Sequence, residues 1–217
     1  NVMYVPWATN YLAVNSWPVP EIVVEVWVGN NYTESGPGAS WFGGGTNYQW
    51  GVNAFTNIRS AVTNLLFGGS VWLAPETFQI TSQIVISNNV VVIGTQDVTT
   101  VTMASGGTNR CFYLGNESAS LRGIVISNGY ANGVEANGCG GGVYVERCPV
   151  SVDIPLLDGC RVVGCRADNE GGGVCIADTV STFGAYIRNS TISGNMATNN
   201  GGGIACSNWL YLGYCTI

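Results

Sequence analysis

Gly140-Gly141-Gly142-Val143-Tyr144-Val145 returns as Gly171-Gly172-Gly173-Val174-Cys175-Ile176 and again as Gly201-Gly202-Gly203-Ile204-Ala205-Cys206. The spacings are 31 and 30 residues. A second marker precedes each triplet: Ile124-Val-Ile-Ser-Asn-Gly-Tyr-Ala131, Cys160-Arg-Val-Val-Gly-Cys-Arg-Ala167 and Ser190-Thr-Ile-Ser-Gly-Asn-Met-Ala197. Two markers that recur in one order at nearly one period define a structural repeat.

Between the markers, apolar residues alternate with polar ones in short runs broken by Gly and Asn. That is the period of strands, since helices need apolar residues three and four apart. Ile80, Ile84, Ile86, Val90 and Val92 carry the alternation upstream, so repeats are expected to begin near Val71. Parallel strands that return to one register after each repeat predict an all-β fold, a right-handed parallel β-helix. With stacked strands ~4.8 Å apart, residues 71–217 would make about five or six coils.

The alignment predicts the core. Val143, Val174 and Ile204 should point inward and stack, as should Val145, Ile176 and Cys206; Tyr144, Cys175 and Ala205 should face outward. A second inward ladder is Ile126, Val162, Ile192 and Ile217, with Ile124, Cys160, Ser190 and Cys215 beside it. Cys160 and Cys215 would lie two coils apart, ~9.6 Å and beyond disulfide reach, as small core residues. The turn glycines Gly140, Gly141, Gly142, Gly171, Gly172, Gly173, Gly201, Gly202 and Gly203 are expected at corners that need positive φ and a close backbone bend. They lead into a strand rather than a helix N-terminus, which argues against a phosphate cradle. No Asp follows at the offset of a calcium-binding nonapeptide.

Three segments follow. Residues 1–25 form an N-terminal extension with Trp7, Tyr11, Trp17 and two prolines, suited to contact between subunits. Residues 26–70 carry the end of a strand (Glu21–Val28), a Gly/Ser/Asn-rich loop and an amphipathic capping helix. That helix is expected over Asn53–Gly68, with Asn53 as its cap and Phe55, Ile58, Ala61, Val62, Leu65 and Leu66 as its apolar face. Its place just before the first coil suits it to cover unpaired strand edges. Residues 71–217 are the coils. Tyr214-Cys-Thr-Ile217 matches Asn189-Ser-Thr-Ile192, so the sequence stops within a coil: either the natural protein is longer, or the open end, with Trp209 and Tyr211 as self-association residues, receives another subunit.

Composition narrows the chemistry. The 217 residues are 46% hydrophobic and only 9% charged, with net charge −6. Seven basic residues, all Arg, cannot assemble a nucleic-acid surface. There is no His and no Lys, which removes His-dependent triads, Schiff bases and His-ligated metals. No cofactor or metal is expected. No run of 18 apolar residues is present, so no membrane span is expected. Eight cysteines form no CxxC zinc pattern, and their even number permits disulfides. Sequons at Asn31, Asn116 and Asn189 are candidate N-glycosylation sites if the chain meets a glycosylating pathway. The chain begins at Asn1, which fits a processed, exported protein.

Asn109-Arg-Cys-Phe-Tyr-Leu114, the two markers, and Asn57-Ile-Arg-Ser-Ala-Val62 followed by Gly69-Ser-Val-Trp-Leu-Ala-Pro75 resemble the bacterial right-handed parallel β-helix repeat proteins of the pectate-lyase-like superfamily. The likeness covers roughly residues 26–217 and is nearest to surface and autotransporter-like members with glycine triplets. The resemblance implies the fold; members include polysaccharide lyases and hydrolases, phage tailspikes and adhesins, so it does not fix activity. Polygalacturonase-like members carry Asp-Asp and Gly-His-Gly motifs, which are missing here. Lyase-like members use carboxylate-bound calcium and a basic residue, for which Asp153, Asp158, Asp168, Glu170, Arg161 and Arg166 are the nearest candidates. No acidic ladder is expected, because Thr198-Asn199-Asn200 follows Asp168-Asn169-Glu170 one repeat later. The expectation is a non-catalytic, secreted structural protein, a self-associating filament or surface-layer subunit. A cell-surface adhesin or a carbohydrate-binding β-helix with Tyr144 or Trp209 against sugars is the alternative, and a polysaccharide-active enzyme is a further one.

Overall fold

A computed structural model describes residues 25–30, 54–95, 97–148, 155–178 and 184–217. Trp7, Tyr11, Trp17, Asn31 and Asp153 lie outside the described residues, as does the first half of the Glu21–Val28 run.

The described strands all pair in parallel and form four columns. The triplet column stacks Ile84–Ile86, Phe112–Leu114, Val143–Val145, Val174–Ile176 and Ile204–Cys206. Its register pairs Val143 with Val174 and Val174 with Ile204, as the repeat requires. A second column stacks Thr77–Ile80, Thr100–Met103, Val125–Ser127, Arg161–Val163 and Thr191–Ser193. A short third one stacks Tyr130–Ala131, Arg166–Ala167 and Met196–Ala197. The longest column runs Ala54–Phe55, Glu25–Val28, Gly69–Leu73, Val90–Ile93, Ser120–Arg122, Leu157–Asp158, Ala185–Arg188 and Leu210–Gly213. From Gly69 on, each pass of the chain therefore adds one strand to each of the three longer columns, and from Tyr130 on one to the short column too; one pass is called a layer below, named by its triplet-column residue. The class is all-β with a single α-helix among the described residues.

Alternation carries the packing. Val143, Val145, Val174, Ile176, Ile126, Val162 and Ile192 are buried in one continuous core with Phe112, Leu121, Leu157 and Ile187. Cys160 belongs to that core, and Cys215 packs against it as expected for one small-residue file. Between them Ser190 is buried, with its hydroxyl accepting from the Cys160 amide at 3.1 Å and donating to the Arg188 carbonyl at 2.7 Å. A hydroxyl satisfied on both sides is tolerated where an orphaned one would be costly.

The triplets divide their work. The first glycine is left-handed each time, with φ of 69° at Gly140 and 62° at both Gly171 and Gly201. The second and third need space instead. A Cβ on Gly141 would stand 2.6 Å from the Gly172 carbonyl oxygen, and one on Gly142 2.7 Å from that of Gly173. The amide of Gly142 donates to Gly173 at 3.0 Å, so the layers touch through bare backbone at this corner.

Three expectations need correction. The helix spans Ile58–Asn64, capped by Asn57, whose side chain accepts from the Ser60 amide; it does not start at Asn53. Ala54 and Phe55 pair instead with Trp27 and Val28 as a strand. Ile58, Ala61 and Val62 are buried as read, but Leu66 is exposed because the helix has ended before it. Finally, Tyr144 and Cys175 leave the main core as the alternation says, yet they are buried rather than solvated. They pack with Cys139 in a separate cluster.

Candidate functional site

Several exposed apolar side chains lie on the last layers. Trp209 is 69% exposed, Leu212 47%, Tyr214 92% and Ile217 58%, with Tyr211 and Met196 also exposed. The cause is positional. Leu212 is in register with buried Ile187, and Ile217 follows Thr216, which bridges Thr191. They therefore continue inward files that have no further layer above them among the described residues. Met196–Ala197, Ile204–Cys206 and Leu210–Gly213 are the terminal members of their sheets, so one row of backbone N–H and C=O groups on each lacks a strand partner there. Such edges are templates for another strand. Trp209 and Tyr211, read from sequence as self-association residues, are both exposed in this last layer, Tyr211 on the outward face in register with Tyr186.

A second cluster was not legible as a site. Arg110 is buried, with Nη2 donating to the carbonyls of Ala136 (2.6 Å) and Asn137 (3.0 Å) at the end of the 3₁₀ helix Glu135–Gly138. Its guanidinium lies 4.5 Å from the Tyr144 ring centre, and Tyr113 stacks on Tyr144 at 5.5 Å. Burial lowers the Arg110 pKa from its usual value. Burial, with Glu146 beside the hydroxyl, pushes Tyr113 up to about 12. Arg110 and Cys139 thus cover the Tyr144 ring, which is only 7% exposed and cannot stack on a sugar as the sequence suggested. The sequence signal was one of length: eight residues separate Ala131 from Gly140, against three between Ala167 and Gly171. The extra chain folds over the outer face.

The candidate polysaccharide-site residues do not converge. Asp158 lies in the longest column, where Arg188 Nη2 donates to it at 2.8 Å and Asn189 Nδ2 at 3.0 Å. The Arg188 hydrogen bond is the main cause that holds its carboxyl below the usual range. Arg161 is exposed in the second column. Asp168 follows the short column, accepting from the Tyr130 hydroxyl at 2.8 Å and the Gly133 amide at 3.2 Å. Arg166 sits 4.8 Å from the Tyr130 ring centre and 3.9 Å from Asp168, so it is engaged and not merely solvated. Glu170 accepts from Asn200 at 2.8 Å, and Asn199 donates to Asn169 at 2.7 Å; the ladder here is of amides, as the sequence indicated.

Both described sequon amides are in use. Asn116 Nδ2 donates to the Ser87 carbonyl at 3.4 Å. Asn189 is exposed at φ 51°, with its amide on Asp158. Among the described residues no group of three or more His, Cys, Asp or Glu side chains could hold a metal ion, and no helix is long and apolar enough to cross a membrane. A groove of about 170 Å³ beside the helix is lined by Asn57, Arg59, Phe78 and Ser82, with Arg59 donating to Ser82 and Gln83. Comparison with protein-family models, curated proteins and solved structures finds no match to this chain.

Proposed function

We propose that the chain is a right-handed parallel β-helix of the pectate-lyase-like type and serves as a non-catalytic, extracellular structural subunit that associates with itself end to end. The reading is supported chiefly by one observation: the end that carries Trp209, Tyr211, Leu212, Tyr214 and Ile217 combines exposed apolar side chains with unpaired parallel strand edges. Scattered apolar residues are ordinary on a surface; residues that continue buried files on an open strand edge, as Leu212 and Ile217 do, are not. A strand from a second copy could pair with these open edges. Such a contact is heterologous and propagates into a filament unless the rotation closes a ring. The low charge of the chain favours close lateral contact between copies. The polysaccharide-enzyme alternative draws no support from its candidate residues: Asp158 and Arg161 stand in other columns from Arg166, and Arg166, Asp168 and Glu170 are engaged with Tyr130, Gly133 and Asn200.

The test is sedimentation velocity across a concentration series with electron microscopy of the same samples. Concentration-dependent growth into fibres of constant width is expected. Leu212→Asp, which places a charge on the end face without filling a core site, should weaken association at least ~10-fold while the circular dichroism spectrum stays unchanged. Isolated short rods at every concentration would refute the proposal. So would a natural chain whose residues after Ile217 occupy that face themselves.

A further inference from the structure

Cys139 and Cys175 sit outside the main core, in one buried cluster with Tyr144. Backbone register explains how they meet. The Gly140 amide donates to the Glu170 carbonyl at 3.0 Å and the Asn169 amide to Gly138 at 2.8 Å, so Cys139 lies against Asn169–Glu170 of the next layer. Asn169 Nδ2 reaches its sulfur at 3.4 Å. Cys175 is turned back to the same spot by the left-handed corner at Gly171, where a Cβ would stand 2.8 Å from both Cα and Cβ of Cys175. The two side chains share one packed cluster, and both thiols are free in the structure.

The columns make the pairing specific. Positions equivalent to Cys175 hold Tyr113, Tyr144 and Ala205, and positions equivalent to Cys139 hold Glu170 and Asn200. Cysteine occurs in these two files only where the files touch in adjacent layers. Cys111 and Cys165 also approach each other, but they do so inside the main core and from different files, Cys111 in that of Gly142 and Cys165 in that of Gly129.

We propose that Cys139 and Cys175 form a disulfide that staples the Val143 layer to the Val174 layer, made by exchange with oxidised glutathione. One cysteine thiolate attacks a glutathione sulfur, breaks its S–S bond and releases one reduced glutathione. The other thiolate then attacks the protein sulfur of that mixed disulfide and releases the second. The two cysteines lose two electrons, one glutathione disulfide gains them, and both thiol protons end on glutathione. Burial pushes the Cys175 thiol up to about 12, so the folded chain offers little thiolate and the exchange belongs to folding.

The experiment is refolding of the full chain in a glutathione redox buffer, alkylation of the remaining thiols, and tryptic mapping without reduction. Cleavage after Arg122, Arg147, Arg166 and Arg188 places Cys139 alone in Gly123–Arg147 and Cys175 alone in Ala167–Arg188. These two peptides are expected joined, at a mass two hydrogens below their sum. The oxidised protein should also melt several degrees above the reduced one, a difference lost in Cys139→Ser. Recovery of either peptide alkylated, glutathionylated or joined to any other cysteine would overturn the proposal; this readout needs no variant to fold.

Discussion

Val174–Ile176 and Ile204–Cys206 follow identical glycine triplets, lie in the same column and pair residue for residue, yet only the first is fully buried. Val174 has Val143 on one side and Ile204 on the other; Ile204 has a strand neighbour on one side alone among the described residues. The same motif therefore gives a core strand in one place and a half-covered edge in the other. Burial here is a property of having two neighbours, not of the residues themselves. That is the nearest-neighbour energetics of a stacked repeat, and it separates the doubly covered middle of the molecule from its half-covered last layer.

The sharpest way to break this comparison is to truncate two residues of one file. Ile187 is buried and in register with exposed Leu212. Ile187→Ala should cost about 3–4 kcal/mol in urea unfolding, whereas Leu212→Ala in dilute solution should cost about 1 kcal/mol or less. Equal losses would mean that the last layer is as well covered as the middle. The next test adds a methyl group to the middle glycine of two triplets. On Gly172 it would run into the Met196 carbonyl and stand 2.5 Å from the Gly202 oxygen, while on Gly202 the nearest atom is 3.3 Å away. Gly172→Ala is expected to destabilise by about 2–3 kcal/mol through overpacking, and Gly202→Ala by no more than about 0.5 kcal/mol.

The smallest effect concerns charge inside the stack. Asp158 is bound by Arg188 of the next layer, which depresses its folded pKa below the unfolded carboxylate value of about 4. The contribution is then complete above that value and is lost as pH falls through the lower folded pKa. Urea midpoints recorded from about pH 7 down to about pH 3 should fall less steeply for Asp158→Asn than for the wild type. Parallel curves would show that the pair is screened by solvent.

Column register was legible because two markers repeat at one spacing, and a one-residue slip would turn Val143, Val174 and Ile204 outward. The helix start was not. Asn53 and Asn57 are equally good caps in sequence, and Phe55 fits a helical face as well as a strand; the choice is made by Trp27 and Val28, residues distant in the chain, which take Ala54 and Phe55 as partners. The cover over Tyr144 was hidden for a different reason. Alternation tells which face a side chain leaves by, but not whether an inserted segment such as Glu135–Gly138 lies over that face. The end cluster was legible in its residues, Trp209 and Tyr211, because they fall in the last repeat. The thiol pair was not, since it depends on a corner that brings Cys175 back beside Cys139.

Strands about thirty residues apart supply one another's backbone partners, and this sets how the chain can be made. During synthesis from the N-terminus, Val143–Val145 cannot complete its hydrogen bonding until Val174–Ile176 has left the ribosome. At every moment of translation a raw sheet edge therefore rides at the growing front. It is sealed by the next repeat and opened again by that repeat's own far side, so the nascent molecule is always one layer short of being closed.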